Sequence, residues 1–503
     1  FPKSEQSNIL IDVGHHVVSM GERVLVGDLE IVNDTLVRGF RLTSGWWAVN
    51  RYTYFVASFS KPFKTHLLTL KDKKFIDKKN ISGQDIKAFL TFNTEEYEEI
   101  LVKVGISAVD YDGAMKNLLE EIPHWNFDKT KKEAENAWEK QLSKIQVSGG
   151  NQEQNTIFYT ALYHASLGPY LFSDADGRYR SVNWKTYQDT TYEFYSTFSI
   201  WDTYRASHPL FTIIERKRTN DFVKSLLDMR DQHWDKILPI WPLGGTETYC
   251  MIGFHAASII AEAYKKGIDG FDANRAYEAL RYQALSKKYR YLEYYDQYGF
   301  IPFNLEHPNI KNETKFMNHW ASGDEVSKTL EYTYDDFCVA TMANSLGKDE
   351  DYSYFIKRSG NYKNLFHPKF GVFAPRYVTM KWLKPFNPYS YSPAYTEALP
   401  IQYAFATQHD IQGYVNLLGG EKALEDKLDE FFTKENPSES QHFGGKIGYY
   451  SHGNEPSHHV PYLYNYIGKP WKTQYYTHRI LDSLYTNNSV GLPGNDDMGQ
   501  MSA

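Results

Sequence analysis

The spacing of apolar residues changes once along the chain, close to residue 125. Before this point, short runs rich in β-branched and aromatic residues are separated by Gly, Asn, Asp and Lys, as in ERVLVGD, TLVRGFRLTSGWW and YTYFVASF. This pattern is typical of an antiparallel β-sandwich. Later in the chain, apolar residues recur at three- and four-residue spacing, as in QNTIFYTALYHASL and MIGFHAASIIAEAYKKG, which indicates helices. The change predicts two domains of different class.

The predicted domain boundaries follow this change. Residues 1–126 are assigned to the β-sandwich, and residues 127–150, with the charged amphipathic run DKTKKEAENAWEKQLSKIQV, to a helical linker. Residues 151–503 contain a succession of helical candidates without strand-rich alternation. This favours stacked helical hairpins, as in an α/α toroid, where the polar loops between helices converge at one end.

Composition and charge limit the classes of partner. The net charge is −7 and no basic run is present, so we expect no nucleic-acid partner. No segment approaches the roughly 18 apolar residues of a membrane span. Cys250 and Cys338 are too far apart in sequence to suggest a disulfide framework. The aromatic content of 16% suits the flat faces of sugars, although core packing is the commoner use of any single ring.

Two acidic strings have alternative explanations. FSIWDTYRASHPL places Trp201, Asp202 and Arg205 where a loop enters a helix; taken alone, it is explained by an aspartate cap paired with an arginine. In SGDEVSKTLEYTYDDF, helical spacing puts Glu331 and Asp335 on one face. That face is either solvated or directs a carboxylate inward.

Two further strings place oxygen donors near aromatic residues. YTEALPIQYAF sets Glu397 directly before an aromatic helix. Burial there would raise the pKa of the carboxyl into the range that a general acid needs, and helix capping is the alternative. SHGNEPSHHVPYLYNY supplies Asn454 and Glu455 close to His458. Because no zinc motif is present, oxygen ligation of calcium fits this string better.

The string GNDDMGQMSA contains the adjacent carboxylates Asp496 and Asp497 after a turn at Gly494. At the start of a helix, the dipole and amide groups would keep such carboxylates ionised. An ionised and rigidly held carboxylate can orient a water molecule, whereas capping alone also explains the pair. Acidic residues on several loops of one barrel end favour a catalytic site.

Together these strings resemble the glycoside hydrolase family 92 α-mannosidases. The resemblance is carried by FYTALYH, FSIWDTYRASHPL, CMIGFHA, SKTLEYTYDD, YTEA, HGNEPSHHVPYLYNYIGKPWKTQ and GLPGNDDMGQMSA, and in the first domain by ILIDVGHHVV, GFRLTSGWW and YFVASFSKPF. It implies an N-terminal β-sandwich packed on an (α/α)6 barrel. It also implies calcium-dependent, inverting, exo-acting hydrolysis of α-mannosides in glycans, in a secreted, periplasmic or cell-surface protein.

The resemblance further implies residue roles. Glu397 would be the general acid, and Asp497 the general base with support from Asp496 or Asn495. The implied calcium ligands are Glu455, Asn454 and, as a weaker candidate, Gln402. The implied sugar-binding residues are Trp47 or Trp46, Trp201, Asp202, Arg205, Glu331 and His458.

Two departures from the family pattern leave alternatives open. Leu399 and Ile401 stand beside Glu397, where the family commonly has a polar and an aromatic residue, so substrate preference is open and Glu331 is an alternative acid. The family pattern also continues further at both ends, so the chain is expected to be trimmed, with an incomplete last barrel helix, weak activity and a tendency to aggregate. The rival hypotheses are another α/α-barrel hydrolase acting on glucosides and a non-catalytic carbohydrate-binding protein. The oligomeric state is not indicated.

Overall fold

Two antiparallel sheets form the first domain. The computed structural model of the protein describes residues 1–17, 21–71, 73–287, 289–303, 323–437 and 444–503. The sheets have the strand orders β1-β8-β5-β6 and β7-β2-β3-β4-β9. The strands are β1 (Ser4–Asp12), β2 (Arg23–Asn33), β3 (Leu36–Ser44), β4 (Arg51–Phe59), β5 (Thr65–Leu70), β6 (Lys73–Phe75), β7 (Asn80–Gly83), β8 (Ile86–Thr94) and β9 (Val102–Ser107).

Alternation along β8 shows why the sheets stack. Ile86, Ala88, Leu90 and Phe92 are each 0% exposed, and they pack in one cluster with Leu29 of the opposite sheet. Residues two apart on a strand share a face, so this pattern places these four side chains of β8 toward the core. Each large apolar side chain buried in this way contributes about 1.5–3 kcal/mol.

Two helices follow the sandwich. Helix α1 (Tyr111–Glu121) packs against β9. A side chain at Gly105 would place its Cβ 2.2 Å from the carbonyl oxygen of Ala114, so only glycine allows this approach. Helix α2 (Phe127–Leu142) begins where the side chain of Asn126 accepts a hydrogen bond from a first-turn amide.

The described part of the second domain is mainly helical. Its α-helices are α3 (Gln152–Ala165), α4 (Ile200–Thr203), α5 (Ser207–Ile214), α6 (Arg216–Gln232), α7 (Ala256–Lys265), α8 (Ala273–Ala284), α9 (Leu292–Tyr298), α10 (Glu325–Ser345), α11 (Asp349–Arg358), α12 (Pro400–Tyr403), α13 (Ile411–Leu418), α14 (Glu421–Thr433) and α15 (Pro470–Leu484). Short 3₁₀ helices span Ser359–Leu365, Glu455–Ser457 and Val460–Ile467.

Short hairpins lie between these helices. The strands are β10 (Tyr170–Leu171), β11 (Arg178–Arg180), β12 (Thr186–Gln188), β13 (Tyr195–Ser196), β14 (Phe366–His367), β15 (Val372–Phe373), β16 (Lys446–Ile447) and β17 (Tyr450–Ser451). The prediction of a β-rich first domain followed by a helical domain is confirmed. Among the described residues, no helix combines the length and the hydropathy needed to cross a membrane.

Helix α10 occupies the centre of the second domain. It packs against α7, α8, α11 and the 3₁₀ helix that begins at Ser359. Glu331 and Asp335 are 5% and 0% exposed, so the acidic face that the sequence left ambiguous points inward. Buried carboxylates of this kind require charged or hydrogen-bonding partners.

The segment after Gly494 forms turns where the sequence predicted the start of a helix. Asp497, Met498 and Gly499 have φ angles of 43°, 61° and 82°. Three successive residues in the left-handed region cannot belong to a right-handed α-helix. The prediction that a helix N-terminus keeps Asp497 ionised is therefore wrong, and other contacts must hold this carboxylate.

Candidate active site

Three carboxylates from distant parts of the second domain meet at one point. Asp202 belongs to α4, Glu455 begins a short 3₁₀ helix, and Asp497 lies in the turns after Gly494. One oxygen of each residue lies within 4.8 Å of the corresponding oxygens of the other two. Carboxylates this close repel one another unless a proton or a cation lies between them.

Glu455 is the most deeply buried member of this carboxylate cluster. The residue is 0% exposed, and neither carboxylate oxygen has a hydrogen-bond partner among the described residues. Burial, followed by the charges of Asp202 and Asp497, raises its pKa well above the ordinary value, and Arg205 opposes the shift. A buried carboxylate without partners is costly unless a cation binds it.

The donor set of the cluster fits calcium. Three carboxylates supply only oxygen ligands, and at least one of the two unpartnered oxygens of Glu455 lies within 4.8 Å of an oxygen of each other acid. Hard cations such as calcium take oxygen ligands, whereas zinc and copper sites are usually completed by nitrogen or sulfur. The observed residues are therefore compatible with the calcium site that the sequence predicted around Glu455.

Asp497 and Asp202 differ in how strongly their protonation is shifted. Burial raises the pKa of Asp497 to about 6, with further contributions from the charges of Glu397 and Asp496. Burial, followed by the charge of Asp497, raises the pKa of Asp202 well above its ordinary value. At neutral pH Asp497 is therefore mostly ionised, as a base that accepts a proton from water must be.

Glu397 lies just before α12, close enough to the carboxylate cluster for its charge to act on two of the three acids. Its backbone has a φ of 48°, and its carbonyl oxygen accepts a hydrogen bond from Asn454 Nδ2 at 3.0 Å. Its charge raises the pKa of both Asp202 and Asp497. The structure thus brings the predicted acid close to the predicted base and into contact with Asn454, a predicted calcium ligand.

Side-chain contacts secure the turns that carry Asp497. Ser502 Oγ donates a hydrogen bond to Asp496 Oδ1 at 3.1 Å. Tyr485 donates its hydroxyl proton to the carbonyl oxygen of Met501 at 2.5 Å. These bonds hold the backbone on both sides of Asp497.

Glu331 is the centre of a second buried network. Its Oε1 accepts hydrogen bonds from Trp201 Nε1 at 3.2 Å and from the Tyr403 hydroxyl at 3.1 Å. Arg205 Nη2 lies 3.7 Å from Oε1, and His255 Nε2 pairs with Oε2. Burial alone would raise the pKa of Glu331, but His255 and then Arg205 outweigh it and lower that pKa. An acid held in its ionised form is poorly suited to donate a proton.

The two domains meet at a pair of tryptophan rings, the shared aromatic wall, close to the carboxylate cluster. The ring of Trp47, from the first domain, lies 4.6 Å from the ring of Trp241, measured between centroids. Thr246 Oγ1 donates a hydrogen bond to the carbonyl oxygen of Val49. Trp46 is 55% exposed, so Trp47 is the tryptophan of this pair that packs against the second domain.

Two other predicted residues make mainly structural contacts. Gln402 Oε1 accepts a hydrogen bond from the Leu399 amide at 2.6 Å, and its Nε2 donates to the carbonyl oxygen of Tyr449 at 3.1 Å. His458 Nε2 lies 2.9 Å from the carbonyl oxygen of His452, and burial lowers the pKa of His458 well below its ordinary value. The roles of Gln402 in calcium binding and of His458 in sugar binding stay predictions.

Family models match both domains of the chain. The N-terminal domain of glycosyl hydrolase family 92 matches residues 1–107, and the catalytic domain of the same family matches residues 113–503. The chain belongs to glycosyl hydrolase family 92. The family 92 catalytic match includes every carboxylate of the cluster and Glu397.

Solved structures of family 92 share the fold. A family 92 α-mannosidase from Bacteroides thetaiotaomicron is 37% identical with a TM-score of 0.92, over 100% of this chain and 65% of that chain. A complex of it with mannoimidazole has also been solved. An inverting family 92 mannosidase from the same organism is 28% identical with a TM-score of 0.86, over 100% of this chain and 67% of that one.

A secreted relative has also been identified. An uncharacterized secreted glycosidase from Arthroderma benhamiae is 26% identical over 437 residues, which cover 80% of this chain and 49% of that protein. The chain thus spans about half the length of this curated relative and 65% of the α-mannosidase above.

Several residues of the family 92 site had no role in the sequence interpretation. His255 lies inside the quoted string CMIGFHA, yet its ring pairs with Glu331 and Asp335 on another helix. Ser199 and Trp241 contact the Asp202 region through hydrogen bonds. The partners of His255 and Trp241 are distant in sequence, so no local spacing pattern could have indicated these two residues. Ser199 stands three residues before Asp202, and that spacing is a local signal that the sequence interpretation did not use.

The paired histidine leads to a prediction about stability. Burial alone would lower the pKa of His255, but Asp335 and Glu331 outweigh it and raise that pKa to about 9. An unfolded histidine has a pKa of about 6.5. Its stabilisation is therefore fully present below about pH 6.5 and is lost as the pH rises through about 9. We expect the free energy of unfolding to fall by about 2–3 kcal/mol over this range.

Urea unfolding across this pH range measures the effect. The matched control is the double variant His255→Gln with Asp335→Asn, which replaces the ion pair with neutral amides of similar size. The decline should be absent from the double variant. An identical decline in both proteins would show that other groups cause it.

Proposed function

We propose that the protein is an inverting exo-α-mannosidase that removes non-reducing-end α-mannosyl residues from glycans. Glu397 acts as the general acid and Asp497 as the general base, with Asp496 in support. The observation that carries this proposal is the carboxylate cluster of Asp202, Glu455 and Asp497, set beside Glu397 in a chain of family 92. Two of the similar solved structures are family 92 mannosidases, which supports the proposed substrate.

The proposed inversion needs an acid and a base on opposite faces of the sugar ring. In an inverting glycosidase the two carboxyl groups stand about 6.5–9.5 Å apart, which leaves room for a water molecule at the anomeric carbon. Asp497, with a pKa raised to about 6, accepts a proton from that water at neutral pH. Glu397 donates a proton to the departing glycosidic oxygen. The two residues lie on separate loops, so they can flank the sugar ring.

The remaining residues bind and orient the sugar. Trp47 supplies an apolar face across which the ring can stack. Arg205 and Trp201 lie beside Asp202. The positive charge of Arg205 lies over the Trp201 ring and next to the Glu331 carboxylate. His458 and Glu331 complete the proposed sugar-binding set.

The cation site is proposed to hold calcium through Glu455, Asn454 and Asp202, with Gln402 as a weaker candidate. When bound, calcium supplies positive charge to the clustered carboxylates and coordinates adjacent sugar hydroxyls. We further propose that the protein acts outside the cytoplasm, as a secreted, periplasmic or cell-surface enzyme, because one relative is described as secreted.

An NMR time course tests this function. The protein is incubated with calcium and a panel of α-mannobiosides (1,2-, 1,3-, 1,4- and 1,6-linked), with matched α-glucobiosides as controls. Inversion should release β-mannose first, and a chelator should suppress the signal. Hydrolysis of the glucosides alone, initial release of α-mannose, or no hydrolysis would overturn the proposal.

The acid can be distinguished from the base by its leaving-group dependence. Glu397→Gln should lower turnover of mannobiosides by about 10²–10⁴-fold, because their leaving groups need protonation. Activated aryl α-mannosides need little protonation, so the loss on these should be much smaller. Initial rates on both substrate types measure this. Glu331→Gln is the matched comparison, and leaving-group dependence in that variant instead would exchange the two roles.

A further inference from the structure

A buried relay of hydrogen bonds connects the shared aromatic wall to the carboxylate cluster. Trp241 Nε1 donates to Ser199 Oγ at 2.7 Å. Ser199 Oγ in turn donates to Asp202 Oδ2. Ser199, Asp202 and Trp241 are 1%, 3% and 8% exposed, so bulk water does not compete for these bonds.

The chemistry of the donors fixes the direction of this relay. An indole nitrogen can only donate, so the contact with Trp241 uses a lone pair of the Ser199 hydroxyl. The Ser199 proton must then point elsewhere, and the oxygen that faces it is Asp202 Oδ2. The hydrogen bond from Ser199 lowers the pKa of Asp202 against the effect of burial. Trp241 therefore forces Ser199 to act as a donor to the carboxylate.

The indole of Trp241 is itself held from two sides. Its ring packs 4.6 Å from the ring of Trp47, between centroids. Its backbone amide donates to Glu247 Oε1 at 3.0 Å, and the same oxygen accepts the Tyr249 amide at 2.7 Å. The half-buried carboxylate of Glu247 thus fixes the loop from which the indole projects.

We propose that Trp241 and Ser199 are positioning residues that fix which oxygen of Asp202 faces the pocket. With Oδ2 engaged by Ser199, Asp202 directs Oδ1 toward the cation and the sugar. The role in sugar binding rests on the proposed mannosidase function, whereas the role in cation binding does not. Trp241 has two separable parts: its ring belongs to the wall, and its N–H acts through Ser199.

A double-mutant cycle separates these parts. Trp241→Phe removes the N–H and keeps most of the ring surface. Ser199→Ala removes the hydroxyl group through which Trp241 acts on Asp202. Each should lower kcat/KM about tenfold, since hydrogen bonds to charged groups are the stronger ones. The double variant should be no worse than Ser199→Ala, because Trp241 acts through Ser199. Ser199→Thr, which keeps a hydroxyl, should recover most of the activity.

Calcium titration by calorimetry provides a second readout on the same variants. Ser199→Ala and Trp241→Phe should weaken calcium binding by similar factors. The double variant should bind calcium no more weakly than Ser199→Ala alone. Trp471→Phe, at a tryptophan that is 56% exposed, is the control and should match the wild type.

The outcomes are distinguishable from those of the proposed function. The proposal that Trp241 acts through Ser199 is refuted if the losses of kcat/KM or calcium affinity add up in the double variant. It is also refuted if Trp241→Phe loses neither. Failure of Ser199→Thr to recover activity or calcium affinity would also contradict it. If the wild type hydrolyses no α-mannoside, the mannosidase proposal is wrong, and the calcium-affinity cycle alone decides the relay.

Discussion

Replacement of Asp497 by alanine should lower turnover by about 10³–10⁴-fold, the range expected for a positioned general base. The attacking water would then have no proton acceptor. The loss should be the same for mannobiosides and for activated aryl mannosides, because a better leaving group does not help the water to attack. This equality is the signature of the base, and it contrasts with the behaviour expected of Glu397→Gln.

Stability measurements distinguish this catalytic role from a structural one. Asp497 adds repulsion to a cluster with Asp202 and Glu455, so its removal should not lower the melting temperature in the absence of calcium. Asp482→Ala is a matched control, since that side chain is 61% exposed and pairs only with His478 among the described ion pairs. Asp482→Ala should keep turnover within about twofold, as expected for a surface substitution. A lower melting temperature for Asp497→Ala, or a loss confined to poor leaving groups, would refute the assignment.

The second large effect is expected at Glu455. Its two carboxylate oxygens are buried without hydrogen-bond partners among the described residues. Glu455→Gln keeps the shape but removes the charge that a cation requires. We expect calcium affinity to fall by at least about 100-fold, beyond the loss typical of an outer-shell partner, and calcium-dependent activity to be lost with it.

The same substitution should have the opposite effect on the calcium-free protein. A buried charge without compensation is destabilising, so Glu455→Gln should raise the free energy of unfolding by about 1–3 kcal/mol in a chelator. The wild type should gain melting temperature on calcium addition, and the variant should not. Thermal unfolding with and without calcium measures both effects. Glu350→Gln, at an exposed first-turn position of α11, is the control, and a retained calcium response in Glu455→Gln would place the site elsewhere.

The sequence predicted the class of each domain because periodicity is a local property. The alternation of Ile86, Ala88, Leu90 and Phe92 is visible in the sequence, and the structure buries all of these side chains. The short hairpins of the second domain were not predicted, since strands of two or three residues contain too few positions to establish a period.

The candidate site was predicted only in part. The residue types at Asp202, Glu455 and Asp497 indicated acidic loops, but their approach to within 4.8 Å depends on the packing of helices far apart in sequence. Spacing showed that Glu331 and Asp335 share a helix face. It could not show that His255 would lie between them, because that contact is made by tertiary structure alone.

The wall made by Trp47 and Trp241 has a consequence for how this enzyme family can diversify. This contact takes one ring from each domain, while the clustered carboxylates belong to the second domain alone. A substitution that enlarges the space at one ring alters the packing of the other, so the two positions are expected to change together between relatives. Exchange of the first domain would then change the surroundings of the carboxylate cluster while leaving the cluster itself untouched.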